Sequence, residues 1–221
     1  MAKREPAKAK SKAISTEVPV VTLDELQNEK EEGQEVSFKI DYRLTKYIKV
    51  FDDAIPEAYC EKVIRLFNDD KENATVRNND TEKFVALNIE NSEMWKPISL
   101  TQRKIVEATM PVYAESVMPH QSCFPEQSLI EDFYIYKFRD ENDVRKINVD
   151  IKHYGQARRY MTMIWFLTTD DDFELGFFDI QNSVRAKAGR LIMFPSTWTY
   201  PYSMVNGKNA NYILKSHVAL V

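Results

Sequence analysis

Three stretches in the last third of the chain decide its fold: Ile147-Asn-Val-Asp150, Gly189-Arg-Leu-Ile-Met-Phe-Pro-Ser-Thr-Trp-Thr-Tyr-Pro-Tyr202 and Asn211-Tyr-Ile-Leu-Lys-Ser-His217. Each contains a short run rich in apolar and β-prone residues, which is typical of a strand. Similar runs recur from residue 130 to residue 221, separated by turns and without an intervening helical pattern. About eight short strands of this kind predict a closed double sheet or jelly roll.

The most continuous apolar runs mark the expected core of this β region. They are Tyr160–Leu167, which predicts a central strand, and Arg190–Phe194. We therefore expect the side chains of Trp165 and Phe194 to be largely buried. A turn is expected at Thr168–Asp172, where three aspartates follow one another. The other strands are expected at Ile130–Phe138, Ile147–Ile151, Phe173–Ile180, Ser183–Ala186 and Tyr212–Val221.

Ahead of the β region, residues 52–118 predict mainly helical support. Apolar residues recur at helical spacing after Pro56 and again over Ser92–Val117. Pro111 lies inside the second pattern, so we expect a kink or a break near Met110. The predicted class is α+β, mainly β: a double-stranded β-helix with N-terminal flanking helices. Strands are also expected within Glu35–Phe51 and at Phe84–Ile89, and a loop at Asp69–Thr81.

The N-terminus predicts two short segments before the folded domain. Residues 1–15 form a basic arm whose composition supports no core, so we expect it to be disordered unless a partner binds it. It is either a grip for other protein subunits or a solubilising tail. Residues 16–34 predict a short helix that begins with a capping box at Thr22 and ends at Gly33. The domain itself is expected over residues 35–221, with the jelly-roll core at 130–221.

Composition excludes several classes of protein. The formal net charge of −4 gives no reason to expect specific nucleic-acid binding. No apolar run approaches the length of a membrane span, and the basic N-terminus lacks the apolar segment of a secretory signal. Cys60 and Cys123 are too few and too far apart for a disulfide framework or a zinc motif, so we expect two semi-buried thiols.

Over Tyr47–Leu220 the sequence resembles the prolyl 4-hydroxylase-like 2-oxoglutarate/Fe(II) dioxygenases of bacteria and large tailed phages. Ala157-Arg-Arg159 before an apolar strand resembles the arginine-then-strand element of the family. Gly189 to Pro201 matches the strand that leads to the distal iron-binding histidine, and Asn211-Tyr-Ile-Leu214 matches the strand that carries the co-substrate cation. The resemblance implies the double-stranded β-helix fold and points to a phage-encoded protein.

The residues that carry the chemistry of this family have changed. The family binds iron through a His-x-Asp pair and a later histidine, and holds 2-oxoglutarate with a cation beyond that histidine. By this resemblance Asn148 replaces the first histidine, Asp150 remains, Tyr202 replaces the second histidine and Asn211 replaces the cation. A neutral amide and a protonated phenol are poor Fe(II) ligands. We therefore expect no cofactor.

Other residues are candidates to replace what was lost. His153 and His217 are the candidate replacement metal ligands, although His153 lies three residues beyond Asp150, on the opposite face of a strand or past its end. Lys208 and Lys215 are candidate replacement cations. His120, beside Cys123, is expected to be incidental. If the correspondence holds, Asn148→His, Tyr202→His and Asn211→Lys together should restore metal binding.

These features favour a non-catalytic structural or binding protein on a degenerate dioxygenase scaffold. The phage-type resemblance and the basic arm suggest a virion component that contacts other protein subunits, located in the host cytoplasm or the virion. Two alternatives stay open. One is a divergent 2-oxoglutarate/Fe(II)-dependent hydroxylase acting on a peptide or small molecule. The other is a cytosolic binding module that uses the pocket for a different ligand.

Overall fold

The structure of the protein is a computed structural model, and it describes residues 44–79, 82–118, 123–140, 142–143, 145–177, 180–205 and 207–221. Four predictions lie outside these residues: the basic arm, the short helix over 16–34, the strand before residue 44, and the loop position of His120. The described residues belong to the unit Asp41–Val221.

Two antiparallel sheets form the β-helix. In the smaller sheet the strand order is β6-β11-β8-β9, and in the larger it is β1-β10-β7-β12-β5-β3-β2, with β4 also paired to β12. A bridge between Glu82 and Arg145 joins the two sheets at one end. The strands are β1 Lys49–Phe51, β2 Thr75–Asn78, β3 Lys83–Asn88, β4 Ser128–Ile130, β5 Tyr134–Phe138, β6 Arg145–Asn148, β7 Arg159–Phe166, β8 Asp170–Phe177, β9 Asn182–Ala186, β10 Leu191–Pro195, β11 Tyr202–Val205 and β12 Asn211–Leu220.

The larger sheet is covered on both faces, which explains its continuous apolar strands. On β7, Met163 and Trp165 pack in the cluster that contains the helices, whereas Ile164 and Phe166 pack against the smaller sheet. The same alternation holds on β10, where Phe194 faces the smaller sheet. Trp165 and Phe194 are both fully buried, which confirms the expected core.

Two helices cover the outer face of the larger sheet. They are α1, Glu57–Asp69, and α2, Lys96–Val117. Of the kink or break expected near Met110, the break is wrong, because α2 continues through Pro111. Short 3-10 helices occur at Leu44–Tyr47, Lys71–Asn73, Ile89–Asn91, Glu93–Trp95 and Tyr154–Gln156.

Several predicted boundaries are corrected by the sheets. The aspartates from Asp170 onward lie in β8 rather than in a turn. Part of the region expected to be a loop is β2, which pairs with β3, the strand that was expected at Phe84–Ile89. The strand expected at Ile147–Ile151 is β6, which ends at Asn148. Strand β11 was not expected, because Pro201 precedes it and its run is only Tyr202–Val205.

Candidate functional site

Pairing of β6 with β11 brings together the residues singled out from the sequence. Asn148, the last residue of β6, lies opposite Tyr202, the first residue of β11. Asp150 follows β6 in a bend. All three side chains are buried, and Tyr202 packs its ring edge against Phe194 with 5.3 Å between centroids. The end of the smaller sheet therefore carries one buried polar cluster.

Asp150 is the centre of this cluster, and both of its carboxylate oxygens accept hydrogen bonds. Thr162, on β7, donates its hydroxyl to Oδ2 at 2.8 Å. Tyr202 donates its hydroxyl to Oδ1 at 3.0 Å, and Lys215 donates Nζ to the same oxygen at 2.5 Å. Lys215 Nζ also donates to the Tyr202 hydroxyl oxygen at 2.5 Å. The ammonium group therefore lies between the carboxylate and the phenol.

Lys215 reaches this position from the middle of β12. Its side chain is 2% exposed, although lysine is rarely buried without a partner. Residues two apart on a strand share a face, so His217 accompanies Lys215 into the cluster. His217 Nε2 lies 3.4 Å from Asp150 Oδ1, without the geometry of a hydrogen bond. Strand β12 thus contributes one cation and one imidazole to the site.

Two further ion pairs surround the centre. Arg159 donates Nε to both oxygens of Glu131, at 3.0 and 2.8 Å, and donates NH1 to the Asp150 backbone carbonyl at 3.2 Å. Arg145 lies 3.7 Å from Asp150 Oδ1 and 3.7 Å from Glu82 Oε1. Arg159 therefore helps to fix the bend that holds Asp150, and both arginines add positive charge around it.

The surrounding charges set the protonation states of the cluster. Burial alone would raise the pKa of Asp150, but Lys215, His217 and Arg145 hold that pKa well below its usual range. Burial and repulsion from Arg145 lower the pKa of Lys215 to about 7, against the opposing attraction of Asp150. Burial raises the pKa of Tyr202 well above its usual value, so the phenol stays protonated. Asp150 is therefore ionised, and Lys215 titrates near neutrality.

Beside the cluster lies an open cavity of about 410 Å³. Its floor includes Asn148, Asp150 and Lys215, so the pocket next to these residues is not filled. Its remaining wall comes from both sheets and from the bend after β6, and includes Arg77, Glu82, Phe84, Ala86, Tyr134, Tyr136, Arg145, Val149, Lys152, Gln156, Arg159 and His217.

The other residues singled out from the sequence lie elsewhere. Asn211 begins β12, four residues and about 13 Å before Lys215. Its amide donates to Asp170 at 2.8 Å and its carbonyl accepts from Thr168 at 2.9 Å, so it belongs to a different cavity. His153 is exposed at the start of a 3-10 helix. The thiols differ from expectation, since Cys60 is buried and Cys123 is exposed.

Comparison with solved structures identifies the architecture. No protein-family model matches the chain, and no curated protein matches it. A viral collagen prolyl hydroxylase from Paramecium Bursaria Chlorella virus-1, solved with 2OG, is 12% identical with a TM-score of 0.59, over 82% of this chain and 100% of that one. The chain has the prolyl 4-hydroxylase-like double-stranded β-helix fold.

Two further solved proteins agree with this fold. A prolyl-4-hydroxylase of Pseudomonas putida is 10% identical with a TM-score of 0.57, over 79% of this chain and 93% of that one. A Trichoplax adhaerens prolyl hydroxylase, solved with a hypoxia inducible factor peptide fragment, is 9% identical with a TM-score of 0.58, over 79% and 84%. At these identities the likeness concerns the fold alone.

The residues of this cluster do not fit an Fe(II) ion. Fe(II) in such folds is held by two imidazoles and a carboxylate on one face. Here Asp150 meets one imidazole, that of His217, and a lysine. Across the described residues, no three side chains of His, Cys, Asp or Glu converge as metal ligands would. The oxygen atoms of Asp150 and Tyr202 accept hydrogen bonds from an ammonium group, so the cluster suits that group better than a metal ion.

Proposed function

We propose that this chain is a non-catalytic binding protein on a degenerate dioxygenase scaffold, in which the Lys215 ammonium replaces the metal ion beside Asp150. One observation carries the proposal: Lys215 Nζ lies 2.5 Å from both Asp150 Oδ1 and the Tyr202 hydroxyl. A carboxylate left alone in a buried site is costly, so a fold that loses its metal needs another cation there.

The pocket beside this substitute cation supports a binding role. The cavity of about 410 Å³ has the size of a small-molecule site and opens next to Asn148 and Asp150. If ligand binding had been lost together with dioxygenase activity, we would expect side chains to fill this cavity. We therefore favour a binding module over a purely structural protein.

We further propose that the basic arm, residues 1–15, contacts other protein subunits, as in a virion or a host-cell assembly. The proposal rests on the arm's composition and on the resemblance of Tyr47–Leu220, the folded part of the chain, to phage-type proteins. Deleting residues 1–12 should leave the melting temperature of the isolated protein within about two degrees while weakening assembly. A large loss of stability, or unchanged assembly, would contradict it.

Isothermal titration of the wild-type protein with Mn(II), with and without 2-oxoglutarate, tests the main proposal. An Fe(II)-dependent oxygenase binds Mn(II) as a surrogate and consumes 2-oxoglutarate when supplied with Fe(II). We expect neither binding in the micromolar range nor 2-oxoglutarate consumption. Tight metal binding would favour a divergent hydroxylase, with His217 as the imidazole to test first.

A further inference from the structure

The charges around the cavity do not balance. Three of its five cations have a carboxylate partner: Lys215 has Asp150, Arg145 has Glu82, and Arg159 has Glu131. The other two, Arg77 on β2 and Lys152 after β6, line the same cavity and are exposed. Neither forms an ion pair with any residue that the structure describes. Two uncompensated cations lining one cavity attract an anion.

Two buried polar atoms of residues that line the same cavity also lack a hydrogen-bond partner among the described residues. Asn148 is 8% exposed, and its Oδ1 accepts no hydrogen bond from the described part of the chain. Arg145 Nε is buried and lies 3.7 Å from Glu82 Oε1, which is beyond hydrogen-bond distance. Unpaired buried polar atoms are uncommon and costly in folded proteins. One is an acceptor that needs an O–H or N–H group, and the other is a donor that needs an oxygen.

We propose that this cavity binds a small hydroxylated anion, such as a sugar acid or a sugar phosphate. The anionic group contacts Arg77 and Lys152, a hydroxyl of the ligand donates to Asn148 Oδ1, and a ligand oxygen accepts from Arg145 Nε. This inference rests on the proposed function, because it needs Lys215 to neutralise Asp150. An unpaired aspartate in the floor would repel an anion.

The shape of the cavity agrees with this ligand class. Its volume of about 410 Å³ suits a molecule of the size of a hexose derivative. Phe84, Tyr134 and Tyr136 form an aromatic wall against which a carbon skeleton can pack.

Titration calorimetry at low ionic strength tests the inference with four probes. Gluconate and glucose 6-phosphate combine hydroxyls with a charge, glucose has hydroxyls alone, and acetate has a charge alone. We expect at least one of the first two to bind at least about tenfold more tightly than glucose and acetate. The stronger of the two distinguishes a carboxylate from a phosphate ligand. Equal affinity for all four, or binding by none, would overturn the inference.

Three variants locate the binding site. Arg77→Gln with Lys152→Gln removes the uncompensated cations, and Asn148→Leu removes the orphaned amide; each should weaken the preferred probe about tenfold. Arg65→Gln with Lys104→Gln is the control, since it removes the same charge from exposed positions on α1 and α2. A melting curve checks that each variant folds. Equal weakening in the control would mean that only net charge attracts the probe.

The two proposals fail separately. Metal binding by the wild type would overturn the proposed function, whatever the sugar probes do. Absence of probe binding in a protein that also binds no metal would overturn only the ligand class.

Discussion

Removing Lys215 from the buried cluster should destabilise the fold because Asp150 would lose its nearest counter-charge. Methionine keeps the unbranched shape of the side chain without its charge. At an effective dielectric constant of about 20, an ion pair at the observed 2.5 Å has a gross attraction of about 7 kcal/mol. This attraction is partly offset by the cost of burying the ammonium, so removing one partner of a buried pair typically costs about 3–5 kcal/mol. Arg145, at 3.7 Å, still neutralises part of the Asp150 charge in the variant, so we expect the lower end, about 3 kcal/mol, for Lys215→Met.

A double-mutant cycle isolates the interaction. Asp150→Asn should also cost about 3–5 kcal/mol, because it leaves Lys215 beside Arg145 without a carboxylate. The double variant should lose less than the sum of the single losses, by at least about 2 kcal/mol. Urea denaturation at about pH 6, below the Lys215 pKa of about 7, gives the three free energies, with equal m values as the check on two-state unfolding. Additive losses would refute the ion pair at the centre of the site.

Three further outcomes are expected. Stability of the wild type should rise from about pH 7 toward pH 9, since the folded pKa of Lys215 is about 7 and unfolded lysine keeps its proton to about pH 10; Lys215→Met should flatten this rise in urea titrations. Trp165→Ala should cost about 3–5 kcal/mol in the same assay, and a loss below about 1 kcal/mol would contradict its full burial. Gly189→Ala should cost at least about 2 kcal/mol, because Gly189 has φ +84° and a Cβ there would lie 2.2 Å from the Ile55 carbonyl oxygen; Gly155→Ala, which meets no such contact, should be nearly neutral in thermal melts.

The fold was predictable because the composition of most strands by itself indicates a buried strand. Continuous apolar runs such as Tyr160–Leu167 are buried on both faces, and the helical spacing after Pro56 gave α1 nearly to its ends. Strand β11 and strand β2 carry weaker signals. Tyr202–Val205 is short, and Thr75–Asn78 is exposed at every residue, so pairing with neighbours rather than local composition makes them strands.

The site was predictable only in part. Asn148, Asp150 and Tyr202 could be placed together because the resemblance assigned all three to the metal-ligand positions of one site. Lys215 was named as a candidate cation, but its contact with Asp150 depends on the register of β12, which sequence alone does not give. A signal was present: Lys215 and His217 interrupt an apolar strand at the same face, and a lysine in such a run needs a buried partner. Arg145 carried no comparable signal, since it stands at the boundary between a charged turn and β6.

The position of Asn211 changes the design of a restored metal site. Because Asn211 lies about 13 Å along β12 from Lys215, a lysine at 211 would not reach the cluster. The residue that must change with Asn148 and Tyr202 is Lys215, whose nitrogen lies beside the Asp150 carboxylate.

The most direct measurement of the central claim is therefore a Mn(II) titration of two variants that differ at Lys215 alone. Asn148→His with Tyr202→His supplies two imidazoles but keeps the ammonium, whereas the triple variant adds Lys215→Met and frees Asp150. With both variants shown to be folded by thermal melts, we predict that the triple variant binds Mn(II) and the double variant does not. Equal Mn(II) affinity of the two variants would contradict the claim that Lys215 replaces the metal ion.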